Sequence, residues 1–165
     1  MQHKADIHTA RKAARCRAIS EAVDMACRSL SRSAVAGFAY FTMVFAAGFV
    51  LGAVRVLALA PRLGESVAVL LELPVMLAVS WRSCRWVIAR LEVPKASSAR
   101  LVMGGLAFAM LMIAEMGISI FGFGRTLSDH LEYYRQMPVL LGLAGQIAFA
   151  AFPIVQGAAS IRGNA

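Results

Sequence analysis

Four apolar runs separated by short polar links dominate this chain, covering about residues 35–60, 66–86, 101–123 and 137–160. About 20 residues at 1.5 Å each cross a hydrocarbon core of ~30 Å, so every run is long enough for one membrane-spanning helix. Residues 1–34 read differently. Ile19, Val23, Ala26 and Leu30 recur at steps of four, three and four within a charged remainder, which is helical spacing with a modest apolar stripe. Two readings fit this arm. One is an amphipathic helix lying on the inner membrane face, or a docking arm. The other is a basic leader that serves only to set orientation. Residues 161–165 form a short tail, and the links leave no room for a soluble domain. Short links predict antiparallel neighbours. The expected fold is therefore all-α, an integral-membrane, antiparallel four-transmembrane-helix bundle over 35–160 behind a basic N-terminal arm.

Composition sharpens this picture. Of the 165 residues 59% are hydrophobic, and the mean hydropathy is +0.68. A soluble domain of ordinary composition is about 45–50% apolar. Seventeen Lys plus Arg against nine Asp plus Glu give a formal charge of +8. These charges flank the apolar runs, which points to anionic lipid head groups on the cytoplasmic side and away from nucleic acid. Seven of the basic residues lie in the arm, five lie between Arg82 and Arg100, and Arg162 lies in the tail; the other two links hold Arg62, Arg125 and Arg135. Positive residues stay inside, so both termini and the link after run two are expected in the cytoplasm. The Trp81-Arg82-Ser83-Cys84-Arg85-Trp86 stretch mixes Trp and Arg as head-group anchors do. Ala58-Leu59-Ala60 has the look of a signal-peptide cleavage site. The long polar leader, Arg55 inside the run and Pro61 directly after the cut all argue against cleavage. Cys16, Cys27 and Cys84 show no metal or redox spacing and read as reduced thiols.

Polar groups inside the apolar runs are the candidate chemistry. Leu70-Leu71-Glu72-Leu73-Pro74 sets a carboxylate and a helix breaker within run two. An ionisable group there is costly and marks a functional site by default. Counted from the outer ends, Glu72 and Glu115 lie ~12 Å deep, Gln146 ~13 Å and Arg55 ~6 Å. Arg125 caps the same side. Gly48, Gly52 and Arg55 share one helix face, and Gly48-to-Gly52 is a small-xxx-small spacing suited to close packing. Gly142, Gln146, Ala150 and Pro153 share a second face, and Glu115, Ser119 and Gly122 a third. Pro74 removes a backbone donor and frees the carbonyl near Leu70, and Pro153 acts similarly in run four.

Two neighbouring carboxylates in a low-dielectric setting do not both stay ionised without compensation. Arg55 is placed to hold one as an anion, leaving the other to carry a proton. That arrangement suits a proton or cation relay, or a site for a cationic ligand. A buried Arg–Glu pair with Glu115 and Gln146 bonded across helices would instead set helix register. Asp129, His130 and Glu132 are the nearest thing to a metal set, and a single His beside two carboxylates on a loop reads as solvated. The methionines read as packing. No His lies in a span to hold haem, and no cofactor, catalytic constellation or phosphate loop is present. Enzymatic activity is not expected.

The stretch from Gly48 through Arg55, Glu72, Pro74, Ser80-Trp81 and Arg85-Trp86, then from Phe123-Gly124-Arg125 to Gly145-Gln146, resembles a family of small, uncharacterised bacterial four-span inner-membrane proteins. The resemblance covers most of the chain after residue 35. It implies the bacterial inner membrane and a four-span layout and carries no activity. Two functional readings follow: a proton- or cation-coupled transporter or ligand-binding protein, and an accessory or assembly subunit of a larger membrane complex. A homo-oligomer is compatible with either.

Overall fold

A computed structural model describes the backbone of residues 2–122 and 137–162, with side-chain surroundings for Arg15, 17–122 and 137–158. Among these residues there is no strand. The first element, α1, is one α-helix over Gln2–Val54. The basic arm is thus not a separate element: it runs into the first apolar run without a break. The arm's stripe shows why the two halves join. Ile19, Val23, Ala26 and Leu30 continue as Ser33, Gly37, Tyr40 and Val44, at alternating steps of four and three. The first four have no cover from the bundle, whereas the last four are buried.

Beyond Val54 the helix widens into a π turn, Arg55–Leu59, and closes with α2, Ala60–Leu63, which has Pro61 in its first turn. Pro61 has no N–H to donate back to the π turn before it, so the irregular turn and the missing donor coincide. Gly64 then adopts φ +81°, a conformation that disfavours a Cβ, and its N–H donates to the Ala60 carbonyl at 3.0 Å. That single residue is the whole connection to α3, Glu65–Arg90. The expected link of Pro61 to Glu65 is therefore mostly helical.

The far end of α3 is closed by Leu91 N–H to Val87 O at 2.9 Å and Val93 N–H to Ile88 O at 3.2 Å. This pattern of helix ending favours glycine at its left-handed position, and here that position is Glu92 with φ +49°. Next comes α4, Ser97–Gly117, which passes into a second π turn, Ile118–Gly122. The last helix, α5, covers Met137–Arg162.

α1 packs on α3 and α4, and α5 packs on the same two helices. Small residues set the closest approaches. A Cβ on Gly37 would come 2.8 Å from the Met103 carbonyl of α4. One on Gly104 would collide with the Ala150 carbonyl of α5, and one on Gly145 would lie 2.6 Å from the Leu73 side chain of α3. Of the glycines expected to pack, Gly48 lies against the Met76 methyl group, while Gly52 and Gly142 have open space where a side chain would project. Sequence spacing defines a face and does not say which turn of it meets a neighbour.

Among the described residues four helical stretches are long and apolar enough to cross a membrane: Arg17–Leu63, Glu65–Arg90, Ser97–Gly122 and Met137–Ala158. Only 6% to 28% of the most apolar part of each is buried inside the molecule. Phe49, Leu57, Ile113 and Phe121 stand out among the exposed apolar side chains. An outward surface of this kind suits lipid as solvent.

Candidate functional site

The turn at Gly64 lays the end of α1 beside the start of α3. Gly48 meets Met76, and seven residues further along the chain, Arg55 reaches Glu72. Arg55 Nε lies 3.1 Å from Glu72 Oε2, with 30% and 14% of the two side chains exposed. The pair is therefore half-shielded, a setting in which attraction and desolvation are both substantial. Its geometry is a close charge contact without an aligned Nε–H hydrogen bond. Arg55 opens the first π turn, and such widened turns recur at working sites because they re-aim the side chains around them.

A second pair joins α4 to α5. Gln146 Nε2 donates to Glu115 Oε1 at 2.5 Å. The other amide atom, Gln146 Oε1, is buried and accepts no hydrogen bond from the described residues. Glu115 lies in the last turn of α4, just before the second π turn, and Ser119 one turn further on is buried. Ala150 and Pro153 continue the Gln146 face of α5 onto Gly104 of α4. Of the residues expected to share this face, Gly142 makes no such approach.

The four polar residues singled out in the sequence thus resolve into two contacts, Arg55–Glu72 between α1 and α3 and Glu115–Gln146 between α4 and α5. Both carboxylates adjoin an irregular piece of helix: Pro74 follows Glu72 by two residues, and the π turn at Ile118 follows Glu115 by three. Arg125 and the Asp129, His130 and Glu132 loop lie outside the described residues.

Sequence reasoning missed a third polar assembly, near Arg100. Pro153 has no N–H, so it deprives the Phe149 carbonyl of its helical donor. Tyr40 of α1 supplies the missing bond, its hydroxyl donating to Phe149 O at 3.0 Å while its ring stacks on Phe149 at 4.3 Å. Arg100 is buried, and donates from Nε to the Pro94 carbonyl at 3.1 Å and from Nη1 to the Pro153 carbonyl at 3.3 Å. Gln156 Nε2 donates to the Trp81 carbonyl at 3.0 Å, and the Trp81 ring meets Phe152 edge-on. The available signal was a tyrosine inside an apolar run, since a buried phenol needs an acceptor. Comparison with known protein families, curated proteins and solved structures finds no match to this chain.

Proposed function

We propose that this chain is a small multi-pass protein of a bacterial inner membrane, N-in and C-in, whose two carboxylate pairs form a site for a proton or a cation. Contact order supports the antiparallel layout. Along α1 against α3, Gly48 meets Met76 and Arg55 meets Glu72, so the numbering runs in opposite directions. Along α4 against α5, Glu115 meets Gln146 and Arg100 meets Pro153, again opposed. The excess of Lys and Arg before run one and between runs two and three supports cytoplasmic termini.

The observation that carries the functional reading is the Glu115–Gln146 pair, with a Gln146 Oε1 that accepts no hydrogen bond from the described residues. As an anion, Glu115 accepts from the amide N–H. Once protonated it has an O–H to donate, and rotation of the amide presents Oε1 to receive it. One pair of side chains therefore accommodates Glu115 in both protonation states. The same two oxygens are also hard ligands of the type that suit a small cation. Arg55 gives Glu72 a counter-charge while Glu115 has an amide partner, so the two carboxylates are chemically distinct.

The test is proton or cation flux in proteoliposomes under an imposed gradient, with carboxyl infrared bands followed across pH. Wild type is expected to carry flux, and Glu115→Gln is expected to lose both the flux and a titrating carboxyl band while remaining folded. Absence of flux in wild type, together with unfolding of Glu115→Gln, would reduce the pair to interhelical glue. A second reading is favoured by the uncovered stripe of Ile19, Val23 and Leu30, which continues the buried face of α1. It makes the chain an accessory or assembly subunit of a membrane complex. Under that reading a partner co-purifies and Glu115→Gln is tolerated.

A further inference from the structure

Where α1 enters its apolar run, a groove of about 350 Å³ opens between that helix and the end of α3, lined by Ser31, Arg32, Val35, Arg90, Leu91 and Glu92. Arg32 approaches Glu92 at 3.9 Å, with 60% and 82% of the two side chains exposed. An ion pair so open to solvent is weak and easily exchanged. Among the described residues, Arg90 has no ion pair at all. The groove therefore holds two guanidinium groups and only one carboxylate, while the Ser31 hydroxyl on its wall donates to the Arg28 carbonyl at 3.0 Å. Its lower side is apolar: Val35 is 58% exposed, and Leu91 is half-buried.

This combination has a defined chemistry. Two guanidinium groups are matched to a phosphate ester. An exposed valine one turn further into the apolar run is matched to the chain that a lipid phosphate carries. The position agrees, because Arg90 is the last residue of the second spanning stretch and Val35 begins the first apolar run. Basic pockets between spanning helices at the membrane surface bind anionic head groups.

We propose that the groove between Arg32 and Arg90 binds the phosphate of an anionic phospholipid, with Glu92 as its built-in competitor for Arg32. Glu92 is held facing this groove by an unfavourable left-handed backbone. A glycine would close the same helix end with less strain. The lipid displaces the Glu92 carboxylate from Arg32, so the site binds when anionic lipid is abundant and closes on itself when it is scarce.

The experiment is lipid retention measured by native mass spectrometry on the full chain in detergent, titrated with phosphatidylglycerol, phosphatidylcholine or inorganic phosphate. Phosphatidylglycerol is expected to bind in preference to phosphatidylcholine, and each of Arg32→Gln and Arg90→Gln is expected to weaken it about fivefold. Glu92→Gln is expected to tighten it by a similar factor. Arg82→Gln with Arg85→Gln makes the same change in charge on exposed residues outside the groove and is expected to leave retention unchanged. Equal loss in the Arg82→Gln, Arg85→Gln variant and in a matched Arg32→Gln, Arg90→Gln double variant would overturn the site, since diffuse surface charge would then explain the binding. Arginine-dependent protection by inorganic phosphate equal to that by the lipid would keep the phosphate site and assign its source to solution.

Discussion

The two internal prolines stand in opposite surroundings. Pro153 is fully buried, its orphaned carbonyl partner at Phe149 is taken up by the Tyr40 hydroxyl, and its own carbonyl is held by Arg100. Pro74 is exposed, beside exposed Leu70 and Leu71, two residues from a carboxylate. The same contrast extends along the helices. Near Arg100 the core is dense: Ala36, Tyr40, Cys84, Val87, Met103 and Ala107 are all fully buried. Near Glu72 on α3 the buried apolar side chains are the small Ala68 and Val69, and π turns follow α1 and α4. One region uses polar groups to lock backbone to backbone. The other pairs charged and amide side chains where helical geometry already departs from regular. The two regions therefore differ in whether polar side chains hold backbone carbonyls or hold one another.

Substitutions can break this contrast. The largest effect is expected at Gly104, where any Cβ meets the Ala150 carbonyl. Gly104→Val should prevent assembly of α4 on α5, read as loss of monodisperse, folded protein; Gly104→Ala should cost about 1–3 kcal/mol. The matching change at Gly52, where space is open, should be neutral or stabilise by up to about 1 kcal/mol. Equal destabilisation at both positions would erase the distinction between the halves.

Arg100→Met comes next. It leaves two carbonyls without a charged donor, and a loss of about 2 kcal/mol is expected in detergent unfolding.

Tyr40→Phe removes one hydroxyl and should cost about 1 kcal/mol. The sharper form is a double-mutant cycle with Pro153→Ala. Restoring an N–H at 153 returns a donor to Phe149, so the cost of Tyr40→Phe should fall. Strict additivity of the two changes would mean that Tyr40 is not compensating for the proline.

Smallest in stability is Glu115→Gln. It retains its shape and some hydrogen bonding, and should change unfolding by no more than about 1 kcal/mol. Its effect should instead appear in the infrared titration and in flux.

The sequence by itself determined the class of the molecule: all-helical, with four stretches apolar enough to cross a membrane. Solvation imposes that outcome, because a backbone in hydrocarbon must satisfy its own hydrogen bonds. It also marked Arg55, Glu72, Glu115 and Gln146, since polar residues inside apolar runs stand out whatever the fold. It marked both prolines as helix irregularities, for a missing N–H is a property of the residue. Tertiary structure decided the partnerships: Arg55 with Glu72, Gln146 with Glu115, and Tyr40 with the carbonyl that Pro153 leaves open. It decided as well that Gly37, Gly104 and Gly145 are the glycines under close approach, and that Gly52 and Gly142 are not. Local spacing defines a helix face. Which neighbour that face meets, and at what height, depends on how all the helices pack together, and residues more than a hundred positions apart in the chain enter that choice.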